Sequence, residues 1–246
     1  MLLKLKSKII YYKIAFFDLI LPESCIICKN RTSREIILCL QCFKKIKIIK
    51  SSICPKCGLP YPLPKGEDHF CEKCLKNKVF FDKARQVGYY NGILKKTIAA
   101  LKYNGKTYIS SRLGKLMANK IAMEKKKIDY NFIFPIPLHI KKLKERGFNQ
   151  GYLLAKEVGK ILKIKVEFKN LSKILENPSQ INLSKNERKK NVRGIFYLKN
   201  PAQIKNKKIL LIDDVYTSGA TVNECARMLK QGGATEVDVL TLARTA

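Results

Sequence analysis

The sequence predicts an α/β domain on a mostly parallel sheet with flanking helices, preceded by a small module folded around two zinc ions. Three observations carry this. Four C-x-x-C pairs crowd into residues 25–74, strand and helix patterns alternate from 81 onward, and "ILLIDDVYTSGATVNE" at 209–224 is a strand and turn shaped for an anion. The 246 residues divide on this basis into an N-terminal helix with a double zinc ribbon, 1–80, and the α/β domain, 81–246. An apolar content of 46% is ample for a packed core.

The first stretch, "MLLKLKSKIIYYKIAFFDLILP", is broken by lysines 4, 6, 8 and 13. No apolar run in the chain is long enough to span a bilayer, so an amphipathic helix and a cytoplasmic location are expected. Fifty Lys and Arg against 19 Asp and Glu give a formal charge of +31, and only nine of the fifty are Arg. Two accounts stay open. An AT-rich codon usage favours lysine, isoleucine and asparagine, whereas a polyanionic partner such as nucleic acid selects positive charge directly.

The pairs Cys25/Cys28, Cys39/Cys42, Cys54/Cys57 and Cys71/Cys74 have the spacing of zinc knuckles. A two-residue gap lets both thiolates of one turn reach the same ion, and two such turns complete a tetrahedron. A redox C-x-x-C occurs singly, and disulfides are not expected in the cytoplasm. Eight thiolates make two Cys₄ sites, which are structural because no position is left for water. Consecutive pairing is the simplest arrangement, with an interleaved cross-brace as the alternative. Metal binding supplies the folding energy of this segment. The ninth cysteine, Cys225, falls on a helix stripe and reads as core packing.

After the cysteines, "ARQVGYY" reads as a strand. Ile93, Leu94, Thr97, Ile98 and Leu101 follow helical spacing, and a second helix covers about 107–125 through Leu113, Leu116, Met117 and Ile121. "NFIFPIP" is a short buried strand. Residues 149–163 put Leu154, Ala155, Val158, Ile161 and Leu162 on one helix face, and "IKVEF" reads as a strand. "KKILLIDD" is a continuous apolar strand, as a sheet covered on both faces requires. Val222, Cys225, Ala226 and Leu229 stripe the next helix, Gly232 and Gly233 end it, and "EVDVLTLA" is the last strand.

In open α/β sheets, ligands sit beyond the carboxyl ends of the strands. Asp213 and Asp214 stand at that end of the apolar strand, followed by Thr217, Ser218, Gly219, Ala220 and Thr221. Backbone N–H groups of such a turn and helix start cradle an anion, and two carboxylates beside it accept hydrogen bonds from a vicinal diol. A ribose 5-phosphate has both parts. Two adjacent carboxylates also repel each other, which disfavours the empty site. Neither a Walker loop nor a G-x-G-x-x-G fingerprint is present.

This stretch resembles the phosphoribosyl pyrophosphate signature of type I phosphoribosyltransferases. "PIPLHIKKLKERGFNQ" at 135–150 and "QINLSKNERKKNVRGIF" at 180–196 resemble the proline-rich and mobile loops of one branch, the amidophosphoribosyltransferase-like ComF family. The four C-x-x-C pairs stand in that family's order, so the resemblance covers nearly the whole chain. It implies a type I phosphoribosyltransferase fold.

It also implies roles. Asp213 and Asp214 match the pair that contacts the ribose hydroxyls, and Thr217 to Thr221 match the 5′-phosphate loop. Residues 135–147 match the pyrophosphate-loop region, with Arg146 as its charged contact. Residues 180–193 match a flexible loop. There Ser184 to Glu187 form a capping box, and Arg188, Lys189, Lys190 and Arg193 form a basic cluster. The implied ligand is phosphoribosyl pyrophosphate with Mg²⁺, and the implied reaction is pentosyl transfer to an unidentified acceptor. The alternative is a non-catalytic protein that binds single-stranded DNA through the phosphate cradle and zinc ribbons during natural transformation. A ComFA-like DNA-uptake ATPase is the implied protein partner.

Overall fold

A computed structural model describes residues 24–32, 38–50, 52–61, 69–125, 127–175 and 194–245. The predicted N-terminal helix, the capping box at 184–187 and Arg188 lie outside these residues. The chain divides into two compact units, Met1–Ile46 and Lys47–Ala246.

The first unit is organised by Cys25, Cys28, Cys39 and Cys42. The Lys29 N–H donates to the Cys25 carbonyl at 2.9 Å, closing the first knuckle. Helix α1 (Leu40–Lys44) is capped by Cys39, whose Sγ accepts from the Cys42 N–H at 3.4 Å.

The second unit opens with the other four cysteines. Gly58 N–H donates to the Cys54 carbonyl at 2.9 Å, and the short helix α2 (Glu72–Lys76) carries Cys74. The elements that follow are β1 (Lys83–Tyr89), α3 (Gly92–Tyr103), α4 (Ile109–Glu124), β2 (Phe132–Pro135), α5 (Ile140–Arg146) and α6 (Gln150–Leu162). Then come β3 (Leu171–Lys173), β4 (Phe196–Leu198), a 3₁₀ turn (Pro201–Ile204), β5 (Lys208–Tyr216), α7 (Ala220–Gln231) and β6 (Glu236–Arg244).

Among the described residues, four strands form one sheet in the order β1-β6-β5-β2, every neighbouring pair parallel. Helices α4 and α6 pack on each other, α4 against β1 and β6 and α6 against β5 and β2, while α7 packs against β4, β5 and β6. Ile209 to Ile212 of β5 are fully buried, the outcome a continuous apolar run predicts. Ile209 and Leu211 share one cluster with Val222, Cys225, Ala226 and Leu229 of α7 and with Cys54, Cys57 and Cys71. The second cysteine group therefore belongs to the same core as the sheet.

Five details differ from the sequence-based expectation. The "IKVEF" segment makes only an isolated bridge, Val166 to Ile133, and just beyond it the Glu167 side chain accepts the Lys169 N–H at 2.9 Å. Helix α5 arises from a polar stretch with no buried residue, between His139 at its start and Gly147, at φ 78°, at its end. Strands β3 and β4 form a short antiparallel ladder, Leu171 opposite Leu198. Strand β5 runs through both aspartates to Tyr216, since β6 keeps pairing with it as far as Arg244. On α6 the stripe holds at Leu154, Ala155 and Val158, whereas Ile161 is 44% exposed. No described helix is long and apolar enough to cross a membrane.

Candidate ribose-phosphate site and metal centres

Asp213 and Asp214 stand toward the carboxyl end of β5 (Lys208–Tyr216). Asp214 is buried and pairs with Lys102 at the end of α3, Nζ to Oδ2 at 2.6 Å. Asp213 accepts the Asp214 N–H at 2.9 Å. Burial first, and then the charge of Asp214, push the Asp213 carboxyl up to about 7, against the pull of Lys102. The repulsion expected of two adjacent acids is thus relieved in two ways, by a lysine for one and by proton retention for the other.

Lys102 continues the buried stripe of α3, one turn beyond Ile98 and two beyond Leu94. A lysine on an apolar stripe is the signal that marks it in the sequence, and the motif-based reading passed over it. With Tyr103, Gly105, Lys142, Glu145, Arg146 and Phe148 it lines an open cavity of about 580 Å³. Arg146 lies 5.4 Å from the Tyr103 ring centroid and donates to the Gln150 side chain. The "RGFNQ" sequence is the joint that places it. Gly147 closes α5, and Asn149 caps α6 by accepting the Tyr152 N–H at 3.2 Å while donating to the Ile136 carbonyl at 3.0 Å.

After β5 the chain turns at Thr217, Ser218 and Gly219, and α7 begins at Ala220, so Ala220 and Thr221 form its first turn. Gly219 sits at φ 76°, and a Cβ there would come within 2.1 Å of the Tyr216 hydroxyl. Only glycine fits both conditions. The Ser218 hydroxyl accepts the Ala220 N–H at 3.3 Å. The first N–H groups of a helix have no carbonyl partner within it, so this start offers donors to an anion. The structure brings Arg146 into the neighbourhood of the acid pair through Lys102. The 217–221 turn does not line that cavity.

The eight knuckle cysteines gather as Cys25, Cys28, Cys39, Cys42 and Cys54, Cys57, Cys71, Cys74, the ligand atoms of each group lying within 4.8 Å of one another. This is the consecutive arrangement. Zn–S bonds of about 2.3 Å place tetrahedral sulfurs about 3.8 Å apart. The Cys28–Cys39 and Cys57–Cys71 sulfurs stand 3.6 Å apart in each case, so the donor sets fit zinc. Burial opposes a thiolate at Cys25 and Cys54, but knuckle N–H donors outweigh it and lower them to about 6 and about 7. Cys225 is buried in the core, where desolvation raises its pKa well above the ordinary value. His69, near the second group, stacks on Tyr61 with ring centroids 4.3 Å apart.

A parallel sheet whose central strand carries paired acids into a small-residue turn and a helix is the layout of a phosphoribosyltransferase domain, and the family model of that description matches residues 149–246. A double zinc ribbon domain model matches 16–75. Over most of its length the chain resembles three curated relatives. It is 28% identical over 211 residues to the DNA utilization protein YhgH of Salmonella typhimurium, covering 85% of this chain and 90% of that one. It is 27% identical over 220 residues to competence protein F of Haemophilus influenzae, covering 84% and 96%. It is 28% identical over 258 residues to competence protein ComFC of Bacillus subtilis, covering 90% and 95%. Along most of its length the chain is thus similar to ComF-type competence proteins, with a match to a double zinc ribbon followed by one to a phosphoribosyltransferase domain.

Proposed function

We propose that this protein binds phosphoribosyl pyrophosphate with Mg²⁺ at the carboxyl end of β5 and acts in DNA uptake in the cytoplasm. The observation that carries the binding proposal is the acid pair, set between the 217–221 turn on one side and the basic cavity of Lys102, Lys142 and Arg146 on the other. In this arrangement Asp213 and Asp214 accept the ribose hydroxyls, and the turn and α7 start take the 5′-phosphate. Lys102, Lys142 and Arg146 face the diphosphate, and Arg188, outside the described residues, is the further basic contact that the family resemblance implies. Mg²⁺, when bound, neutralises diphosphate oxygens. A cation bound beside Asp213 would favour its ionised form, the retained proton passing to solvent, so the ligand and the ionised acid would favour each other. The reaction class this fits is pentosyl transfer, with positive charge on the ribose ring favoured by the two carboxylates.

Calorimetric titration with phosphoribosyl pyrophosphate, with and without Mg²⁺, tests this. Asp213→Asn with Asp214→Asn is expected to weaken Mg²⁺-dependent binding about a hundredfold or more, since charged hydrogen bonds contribute roughly 1.5–3 kcal/mol each. Unchanged binding would remove the acid pair from the site.

A second reading is single-stranded DNA binding, alongside a ComFA-like ATPase docked on the ribbons. It is favoured by the +31 charge, by the names of the relatives, and by Tyr103, 73% exposed at the cleft, where a base can stack. Log affinity for an oligonucleotide is then expected to fall linearly with log salt, with a slope near −0.7 per phosphate neutralised. Binding indifferent to salt returns the charge to codon usage.

A further inference from the structure

The turn at 217–219 is held by the second cysteine group. The Cys57 carbonyl accepts from Arg244 Nη1 at 2.8 Å and from Gln86 Nε2 at 3.1 Å. Arg244 also brings Nη2 to 3.9 Å from the Cys57 sulfur. Its guanidinium lies 4.5 Å from the Tyr216 ring centroid, and Tyr216 closes against Gly219. Lys73, between Cys71 and Cys74, gives its ammonium to the Ser218 carbonyl. In the first turn of α7, Asn223 accepts the Phe80 N–H at 2.8 Å and donates to the Lys78 carbonyl at 3.3 Å. One knuckle thus reaches the turn through Arg244 and Tyr216, the other directly.

The electrostatics explain why an arginine stands there. Four thiolates around Zn²⁺ leave a net charge of roughly −2. Cys57 and Arg244 are 2% and 5% exposed, so solvent does little to neutralise that charge. A buried anion needs a partner, and Arg244 is within reach of both the sulfur and the carbonyl of one ligand. Without metal nothing ties the Cys54–Cys57 turn to Cys71 and Cys74, and the knuckle loses the shape that presents the Cys57 carbonyl. Arg244 then loses its anchor, and Tyr216 loses the cation packed on its face.

We propose that the second zinc site positions the anion-binding turn. Arg244 and Tyr216 are positioning residues that carry the metal-held shape of the Cys54–Cys57 knuckle to residues 217–219, so zinc at this cluster sets the affinity for a ribose phosphate. The affinity half of this inference rests on the ribose-phosphate reading of the turn. The structural half does not.

The test uses the full-length protein and two substitutions, Arg244→Gln and Tyr216→Leu, the second leaving every contact of Cys57 in place. Three quantities are measured: zinc content, amide hydrogen exchange over residues 214–224, and affinity for ribose 5-phosphate. With zinc retained, both variants are expected to exchange faster in that segment. Affinity should drop for both Arg244→Gln and Tyr216→Leu, because the turn is no longer held in one shape. Cys74→Ser should do the same with one zinc lost, whereas Cys28→Ser, in the first cluster, should lose one zinc and leave exchange at 214–224 unchanged. Faster exchange with no ribose 5-phosphate binding by the parent protein would uphold the positioning link and sink the ligand assignment. Parental exchange in Arg244→Gln, Tyr216→Leu and Cys74→Ser would overturn the link even if the parent binds the probe tightly.

Discussion

Lys102 on α3 sets its ammonium 2.6 Å from the carboxylate of Asp214 on β5, with the two side chains 16% and 4% exposed. Burial opposes the lysine's charge, yet Asp214 outweighs it and holds the Lys102 pKa above its ordinary value. The lysine is therefore charged at neutral pH, and its contribution to the pair is lost as pH rises through that elevated value.

Removing one member of a buried pair strands the other, at a cost of about 3–5 kcal/mol. Lys102→Met is expected to lower unfolding stability by about that amount at neutral pH, and adding Asp214→Asn to recover most of it. Urea titration of the parent, the single and the double variant reads this directly. An equal loss in single and double variants would mean that Lys102 contributes packing and no charge pairing.

Asp213 has the opposite linkage. Its ordinary value is 3.8 and its folded value about 7, so the native state holds an extra proton between the two. Stability contributed by this group is present at low pH and falls as pH rises through that window. Asp213→Asn is expected to melt with the parent at about pH 4 and above it at about pH 8. Thermal denaturation across the range checks this, and a difference that does not vary with pH would rule out Asp213 as its source.

Two zinc ions per chain are expected from elemental analysis of the purified protein, and fewer than one would overturn the assignment of both sites. The two should leave at different rates. Cys28 is exposed and Cys39 half-buried, whereas Cys54, Cys57 and Cys71 are buried. A chromogenic chelator should therefore remove zinc in two phases, and Cys28→Ser should abolish the fast one.

What the sequence discloses here is whatever a short window contains. The knuckle spacing, the buried run at 209–212 and the stripe of Val222, Cys225, Ala226 and Leu229 are local patterns imposed by covalent spacing or helix periodicity, and each appears in the structure. Helix α5 escapes notice because it buries no side chain, so no apolar period marks it. Strands β3 and β4 are three residues each, too short for an alternation to register. The Lys102–Asp214 and Arg244–Cys57 contacts join residues more than a hundred positions apart, and only the folded sheet brings them together. For the site itself, the motifs marked the acids and the turn but not the lysine and arginine that hold them.

The strand order has a consequence in time. Among the described residues, β1 has one neighbouring strand in the sheet, β6, and β2 has one, β5. A ribosome delivers β1 and β2 long before either partner, so until β5 and β6 emerge β1 has only its backbone contacts with residues 47–56, and β2 only its bridge to Val166. Arg244, the last residue of β6, is also the one that grips Cys57. The Arg244 anchor of the second knuckle is therefore a late event in synthesis, made only after β6 has left the exit tunnel, whereas the Gln86 contact is available from β1 onward.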